Sequence, residues 1–476
     1  MADTADLAGY RVRSDSNIVT AAAANDYDDD AGGARQSSGS DSPRVPASRT
    51  CPKKVYLLFL GMGLATLLPW NLFISASEFF RYQFAGSPHE DTFQNSFSVV
   101  HMVLNFASNL YAMATVTKVN PNSRIIYGLV ANTIVYVVGA VMPYMSEYRG
   151  SVSFYIALAQ LAIGAISSGM LVNSLFALTS HFPSFNSEGV LSGQAAAGVL
   201  ATAAQLVTAY SVSPTGHNLD SASRQLATKP STDGLITRTV AYFIFATALN
   251  LLLTVVFWYV RHDPYYQSRS KLAFRSEDLS YDSDQDSEIL FAALSTPVPT
   301  LPSFSSFKRT FSQISDYTYV IIADFTVTLS LFPSVTAMVT STSGFKLLTE
   351  WHFFLYNIGD FLGRRFAPSI PVTQASTLML LALTRLLFIP AFFVCNVSFS
   401  VWYNWIESDT IFLCLVCIFG FSNGFLSTRA AMTAPKLADQ PTIAGSIVAI
   451  SISSGLALGS MFSWPLRSAG CLCSPF

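Results

Sequence analysis

The chain has 476 residues, of which 51% are hydrophobic and only 12% are charged, and its formal net charge is −2. Soluble globular chains carry roughly 25% charged residues, so this composition excludes an ordinary soluble domain. The sequence has no basic patch with interleaved aromatic residues, so we expect no binding to nucleic acid. The composition predicts an all-α polytopic membrane protein embedded in a lipid bilayer, with about 20 apolar residues in each span.

Hydropathy along the chain predicts about eleven membrane spans. The spans are expected at residues 54–75, 96–116, 124–143, 152–180, 187–211, 238–260, 318–340, 350–368, 371–394, 409–428 and 444–465. A break between the sixth and seventh spans divides them into a group of six and a group of five.

Segments of different composition predict the organisation of the chain. Residues 1–52 are polar and acidic, which indicates a disordered cytosolic tail. Residues 261–317 are rich in Ser, Asp and Pro, which indicates a disordered cytosolic loop, and its Ser residues beside acids suit an acid-directed kinase. The remaining parts are a six-helix bundle over 53–260, a five-helix bundle over 318–465 and a short outer tail over 466–476.

Lys and Arg near the span ends favour a cytosolic N-terminus, since cytosolic loops carry an excess of these residues. An odd number of spans then places the C-terminus on the extracellular or lumenal side. The same topology puts the glycosylation sequon Asn396-Val397-Ser398 in an outer loop. We expect the plasma membrane to be the location, with an endolysosomal or other intracellular membrane as the alternative.

Small residues at a spacing of four predict close helix packing within the membrane. GxxxG pairs occur at Gly189/Gly193, Gly359/Gly363, Gly420/Gly424 and Gly455/Gly459. The sequence contains no recognisable nucleophile–base motif, Walker-A loop or metal-binding motif. We therefore expect neither an enzymatic activity nor a cofactor or metal.

The stretch "YNIGDFLGRRF" places charged residues inside an apolar span. Asp360 and Arg364 are four residues apart and share a helix face, and Asn357 and Phe353 precede them on the same side. Charges at membrane depth usually face a cavity and mark a substrate pathway. The alternative is a buried ion pair that only fixes helix register. Arg365 points elsewhere and is interpreted as a topology charge of the inner side.

Other polar residues interrupt the apolar spans. Trp70, at the outer end of the first span, is a pathway residue or an interfacial anchor. Asn173 and Gln194 are candidates for the pathway, with interhelical hydrogen bonds as the alternative. Asp324 is expected to be solvated near the inner end of its span, with a protonatable site as the alternative. Pro333 is expected to break that helix at membrane depth.

Six sequence motifs together identify a family resemblance. They are "LLPWNLF", "SGQAAAGVLA", "DFTVTLSLFPSVT", "FFLYNIGDFLGRR", "GFSNGFLSTRAAMTAPK" and "AGSIVAISISSGLALGS". In order and spacing they resemble the equilibrative nucleoside transporters. The resemblance implies facilitated, sodium-independent uniport of nucleosides such as adenosine and uridine, and in some members of nucleobases. It also implies a fold like that of the major facilitator superfamily, with six plus five helices.

The resemblance also implies roles for individual residues. Asp360 and Arg364 match the acid and base that bind ribose hydroxyls. Trp70 matches a residue that stacks near the nucleoside, and Leu456 matches an aliphatic residue that packs on the base.

Further positions match the approach to this site. Asn357 and Phe353 correspond to residues that lead to the acid, and Phe332 corresponds to the aromatic residue before Pro333. One position departs from the family pattern, because Val172 stands where mammalian members carry a Gln that hydrogen-bonds the base. Base preference and inhibitor sensitivity are therefore open at the level of sequence.

Two alternative functions remain open at this stage. One is a proton-linked transporter of an acidic compartment, in which Asp324 or Glu350 would titrate and "DSEIL", residues 286–290, would serve as a loose sorting signal. The other is a receptor that retains the fold without transport.

Overall fold

A computed structural model describes residues 51–90, 92–145, 149–212, 232–275, 303–397 and 402–470. Across these ranges the chain is almost entirely helical, with two isolated β-bridges, Val339 to Val397 and Cys395 to Ile406. The α-helices are α1 (Lys53–Ser75), α2 (Ser77–Gln83), α3 (Phe93–Ala114), α4 (Pro121–Val141), α5 (Ser151–Thr179), α6 (Phe185–Val212), α7 (Thr232–Val260), α8 (Pro264–Arg275), α9 (Phe304–Leu331), α10 (Leu348–Phe366), α11 (Ala375–Thr384), α12 (Phe388–Phe393), α13 (Asp409–Thr433) and α14 (Pro441–Gly470). The prediction of an all-α fold is confirmed.

Ten helical segments within the described ranges are long and apolar enough to cross a membrane. The segment missing from that set is the span predicted at 350–368. It is helical as expected, as α10, but it holds Glu350, Asp360, Arg364 and Arg365. Four charges in 19 residues lower its hydropathy, so α10 requires polar partners inside the bundle.

The predicted ninth span, 371–394, is not one continuous helix. It consists of α11, a 3-10 turn at Arg385–Leu387 and the short helix α12. Pro390 has no N–H to donate to the Leu386 carbonyl oxygen, and its ring crowds that carbonyl, which disfavours a regular α-helix at the turn. The break matters for the site because Arg385 lies at the turn and is 2% exposed.

Parts of the segment 261–317, predicted to be disordered, are helical. Helix α8 starts at Pro264, and the Asp263 side chain accepts hydrogen bonds from the backbone N–H groups of Tyr265 (2.9 Å) and Tyr266 (3.3 Å). An acidic cap followed by Pro is a strong start signal for a helix. Helix α9 begins at Phe304, well before the predicted span boundary. The "DSEIL" sequence and the acid-flanked Ser residues lie outside the described residues.

Helices α10 and α13 approach closely through their two GxxxG pairs. A Cβ built on Gly363 would lie 2.1 Å from the Phe421 carbonyl oxygen, and one on Gly424 would lie 2.0 Å from that of Asp360. The two backbones therefore touch with only hydrogen between them, as expected for small residues in lipid. This contact brings the α13 residue before Gly424 directly beside Asp360.

Helices that precede residue 260 contact helices that follow residue 318. Helix α6 packs against α10 and α13, and α14 packs against α5 and α3. One large apolar cluster includes residues from both groups, among them Phe59, Phe176, Ile321 and Val448. The division into bundles of six and five helices stays a prediction.

Candidate functional site

Asp360 and Arg364 form a buried ion pair on one face of α10. Both residues are 5% exposed, and Arg364 Nε donates to Asp360 Oδ2 at 2.9 Å. Leaving one member of such a pair buried alone costs about 3–5 kcal/mol. Within the described part of the chain, Arg364 Nη1 has no hydrogen-bond partner. The pair therefore keeps a buried donor whose hydrogen bond is not made within the described residues.

Asn423 of α13 completes the surroundings of Asp360, and the sequence did not single it out. Its Nδ2 donates to Asp360 Oδ1 at 2.7 Å, so both carboxylate oxygens accept a hydrogen bond. Asn423 lies between Gly420 and Gly424 in "GFSNG". An amide inside a GxxxG pair, opposite a helix with the same motif, is the signal that could have identified it.

A second buried ion pair joins Asp324 of α9 to Arg385. The prediction that Asp324 is solvated is wrong, since its exposed fraction is 0%. Arg385 Nη1 donates to Asp324 Oδ1 and also to the Asp324 carbonyl oxygen at 2.7 Å. The break between α11 and α12 supplies the partner, and the apolar run around Arg385 gave no sign of this pairing.

An aromatic wall lies on α10 and at the end of α9. The Phe332 ring stacks on Tyr356 with centroids 3.7 Å apart and planes 15° apart, and Phe353 meets Phe332 edge-on at 5.3 Å. Asn357 donates to the Phe353 carbonyl oxygen at 2.8 Å. A Cβ at Gly198 of α6 would lie 2.1 Å from Asn357 Oδ1, so this amide contacts α6. Helix α9 ends at Leu331, just before Pro333, as predicted.

Trp70 lies inside α1, because the helix continues through Pro69 to Ser75. The helix ends at Ser75, as the predicted span of 54–75 does, so Trp70 lies within its last two turns. Its ring lies 4.4 Å from that of His101 on α3, with 32° between the planes. His101 is 6% exposed and was not identified from the sequence.

Leu456, Asn173 and Gln194 take different positions. Leu456 is partly buried on α14, whose neighbouring Gly455 packs against Phe325 of α9. Asn173 accepts from Ser446 Oγ at 3.1 Å, and Gln194 donates to Thr66 Oγ1 at 3.2 Å. Both amides thus form interhelical hydrogen bonds.

Val172 is 7% exposed and belongs to the main apolar cluster. Its side chain offers no hydrogen-bonding group.

Arg365 does not act as a topology charge alone. Its Nη1 lies 3.2 Å from Oε1 of Glu188, a residue of α6 that is fully buried. Glu188 also accepts from Tyr56 on α1 at 3.1 Å and from Ser192 at 2.5 Å. This cluster joins α1 and α6 to α10, and the sequence interpretation missed it because the partners are 177 residues apart.

The site can be compared with known proteins. The family model described as "Nucleoside transporter" matches residues 158–468, more than half of the chain. The chain is 26% identical over 467 residues to equilibrative nucleoside transporter 1 of Homo sapiens, covering 87% of this chain and 97% of the relative. It is also 26% identical to equilibrative nucleoside transporter 3 of Rattus norvegicus, covering 85% of this chain and 87% of the relative.

Among solved structures, the E. coli fucose:proton symporter aligns with a TM-score of 0.47 and 12% identity, covering 87% of this chain and 96% of the symporter. The family match and the helical membrane fold agree with the sequence resemblance, and the matched family consists of transporters, not enzymes. The chain belongs to the nucleoside transporter family.

Proposed function

We propose that the chain transports nucleosides across a membrane by facilitated diffusion, with Asp360 and Arg364 as the ribose site. The observation that carries the proposal is the buried ion pair on α10, whose Arg364 retains an unpartnered Nη1 among the described residues. Membership of the nucleoside transporter family and the similarity to equilibrative nucleoside transporters support the choice of substrate.

The chemistry of the pair suits a ribose. A carboxylate accepts hydrogen bonds from two hydroxyl groups, and a guanidinium donates to hydroxyl or ring oxygens. Such hydrogen bonds to charged groups contribute about 1.5–3 kcal/mol each. The substrate range proposed here includes adenosine and uridine.

Apolar and aromatic residues are proposed to cover the base. Phe332 and Phe353 line the approach on the C-terminal side, with Asn357 beside them, and Trp70 and Leu456 are assigned to the base itself. Val172 cannot supply the hydrogen bond that a Gln would give at its position. Recognition of the base is therefore proposed to rest on stacking and shape. We assign Asn173 and Gln194 to the walls of the pathway, where they hold helices together.

Transport is proposed to proceed by alternating access, with two groups of helices rocking around the site. The Glu188–Arg365 contact joins α6 to α10 and, on the predicted topology, lies at the cytosolic end. An opening toward the cytosol must separate these two helices. We propose that this contact holds the inner side closed.

The protein is a multi-pass membrane protein, and we propose the plasma membrane as its location, with a cytosolic N-terminus. Glycosylation at Asn396 and phosphorylation of the 261–317 segment by an acid-directed kinase are further proposals. Mass spectrometry of the purified protein tests both modifications. Unmodified Asn396 and unmodified Ser residues would remove them.

Uptake into proteoliposomes tests the proposed function. Purified wild-type protein should equilibrate labelled uridine and adenosine across the membrane without a sodium or proton gradient. Asp360→Asn and Arg364→Ala should abolish uptake with the protein still inserted. Asp439→Asn is the matched control, because Asp439 forms an exposed ion pair with Arg309 and such pairs contribute about 0–1 kcal/mol. Retained uptake in both site variants would contradict the assignment.

A further inference from the structure

The two buried ion pairs are connected by a continuous chain of hydrogen bonds. Arg385 Nη2 donates to Thr328 Oγ1 at 2.8 Å, and Thr328 Oγ1 lies 2.7 Å from Asn423 Oδ1. Asn423 Nδ2 then donates to Asp360 Oδ1 at 2.7 Å. Thr328 is 1% exposed and Asn423 is 2% exposed. Water therefore does not compete for these bonds.

The ends of this chain fix the orientation of the Asn423 amide and make Thr328 Oγ1 an acceptor toward Arg385. A guanidinium only donates and an ionised carboxylate only accepts. Thr328 must accept from Arg385, which leaves its single proton for Asn423 Oδ1 or for the Asp324 carbonyl oxygen at 2.8 Å. Asn423 must present its oxygen to Thr328 and its NH2 group to Asp360. A flipped amide would set its oxygen against the carboxylate.

Arg385 is held firmly enough to serve as the fixed end. Its Nε donates to Ser422 Oγ at 2.9 Å, and its Nη1 bonds the Asp324 carbonyl oxygen and carboxylate. The guanidinium carbon lies 4.6 Å from the centre of the Phe419 ring. Contacts with α9 and α13 from several directions leave the side chain little freedom, and they offset the cost of burying its charge.

The chain ends on the carboxylate assigned to the ribose. Arg364 holds Asp360 Oδ2 and Asn423 holds Oδ1, so the plane of the carboxylate is set by two bonds from different helices. Without Asn423, rotation about the last side-chain torsion is restricted only by Arg364, since such terminal torsions are broad. Small misplacements of a binding group are enough to weaken recognition.

We propose that Asp324, Arg385, Thr328 and Asn423 are positioning residues that orient the Asp360 carboxylate toward the ribose hydroxyls. The inference rests on the proposed function, because it assigns these residues to the same ribose site. It goes beyond that function by giving a role in sugar recognition to four residues that do not contact the nucleoside. The ribose hydroxyls are the substrate groups that depend on them.

Comparison of uridine with 2′,3′-dideoxyuridine tests this proposal. The dideoxy compound lacks both ring hydroxyls, so its transport does not depend on the orientation of Asp360. Thr328→Val keeps the side-chain shape and removes the hydroxyl. The hydroxyl both accepts from Arg385 and donates to Asn423, so its loss interrupts the chain. We expect the uridine KM to rise by about twofold to tenfold, the equivalent of about 0.5–1.4 kcal/mol. The dideoxyuridine KM should stay unchanged.

Two further variants separate positioning from packing. Thr328→Ser keeps a hydroxyl at this position, so its uridine KM should lie close to the wild-type value. Thr318→Val is the matched control on the same helix, because Thr318 is also buried. Among the residues that the structure describes, its hydroxyl bonds only the Ile314 carbonyl oxygen. This control variant should leave the ratio of the two KM values as in the wild type.

Asn423→Ala is the second test variant and should shift the same ratio. Both KM values are independent of the amount of folded carrier, so poor expression of one variant does not obscure the result. Equal changes for both substrates, or none, in Thr328→Val and Asn423→Ala would overturn the proposal. Failure of the wild-type protein to transport uridine would instead contradict the proposed function.

Discussion

The two buried Asp–Arg pairs have the same chemistry and differ in their surroundings. Asp360 and Arg364 lie on one helix, and their side chains are 8% and 6% exposed, whereas those of Asp324 and Arg385 are 0% and 2% exposed. Each nitrogen of Arg385 has an acceptor, while Arg364 Nη1 has none among the described residues.

On the proposed function, the α10 pair binds the ribose and the Asp324–Arg385 pair supports it, and the comparison shows which features differ between them. Burial alone does not distinguish them, since both pairs are nearly inaccessible. Among the described residues, the α10 pair leaves a donor without a partner, Arg364 Nη1, whereas the second pair leaves an acceptor, Asp324 Oδ2. The side chains of the α10 pair are also slightly more exposed. In the second pair, the Arg385 nitrogens donate to groups of the protein itself, on α9 and on α13.

The largest effect is expected from a substitution that breaks the Asp324–Arg385 pair. Arg385→Ala leaves Asp324 buried without its cation, which should destabilise the protein by about 3–5 kcal/mol. Thermal unfolding in detergent should show a lower midpoint and a lower yield of folded protein. Restored stability in Asp324→Leu/Arg385→Met would confirm that the loss comes from the unpaired charge. An unchanged midpoint in Arg385→Ala would contradict the account.

A smaller effect is expected when α13 is moved away from the Asp360–Arg364 pair on α10. Gly424→Ala places a Cβ 2.0 Å from the Asp360 carbonyl oxygen and pushes α13 away from α10. Overpacking of this kind costs about 1–3 kcal/mol, and it should raise the uridine KM because Asn423 moves with α13. Gly164→Ala is the control, since its Cβ would lie 3.3 Å from the Pro69 side chain. Equal uridine KM values for the two variants would argue against a role for the close approach.

The donor side of the α10 pair is tested by Arg364→Lys. Lysine keeps the charge but loses the planar, forked set of donors. We expect the uridine KM to rise by about tenfold, the equivalent of about 1.4 kcal/mol, with thermal stability close to that of the wild type. Initial rates over a range of uridine concentrations measure this. A wild-type KM would show that the fork of Arg364 is not used.

The smallest effect concerns the contact between α6 and α10. Glu188→Gln removes the charge that faces Arg365 and keeps the shape of the side chain. Because Arg365 is half exposed, we expect the ion pair to stabilise the closed conformation by about 1 kcal/mol or less. Its loss should make opening to the cytosolic side faster. Labelling of a cysteine introduced on the cytosolic face of α10 reports this opening. Slower labelling than in the wild type would contradict the assignment.

Contacts between partners close along the chain are predictable from the sequence, and contacts between distant partners are not. The i, i+4 spacing gave the Asp360–Arg364 pair correctly, because a helix fixes that geometry locally. Asp324 and Arg385 are 61 residues apart, and Asn423 and Asp360 are 63 apart. No local pattern specifies such contacts, which is why the sequence alone predicts a solvated Asp324.

The helices themselves were largely predictable, with two instructive exceptions. The apolar run around Arg385 indicated one continuous span, and the structure breaks it at a 3-10 turn. Composition also suggested disorder throughout 261–317, whereas Asp263 and Pro264 start a helix there. In both places a local backbone signal outweighs average composition.

Equilibrium binding to the purified carrier tests the central claim most directly. Uridine and 2′,3′-dideoxyuridine should be compared in the wild type and in Asp360→Asn. The account predicts that the substitution weakens uridine binding more than tenfold, about 1.4 kcal/mol or more, and leaves dideoxyuridine binding unchanged. Equal loss for both ligands, or none for uridine, would contradict the assignment of Asp360 to the ribose.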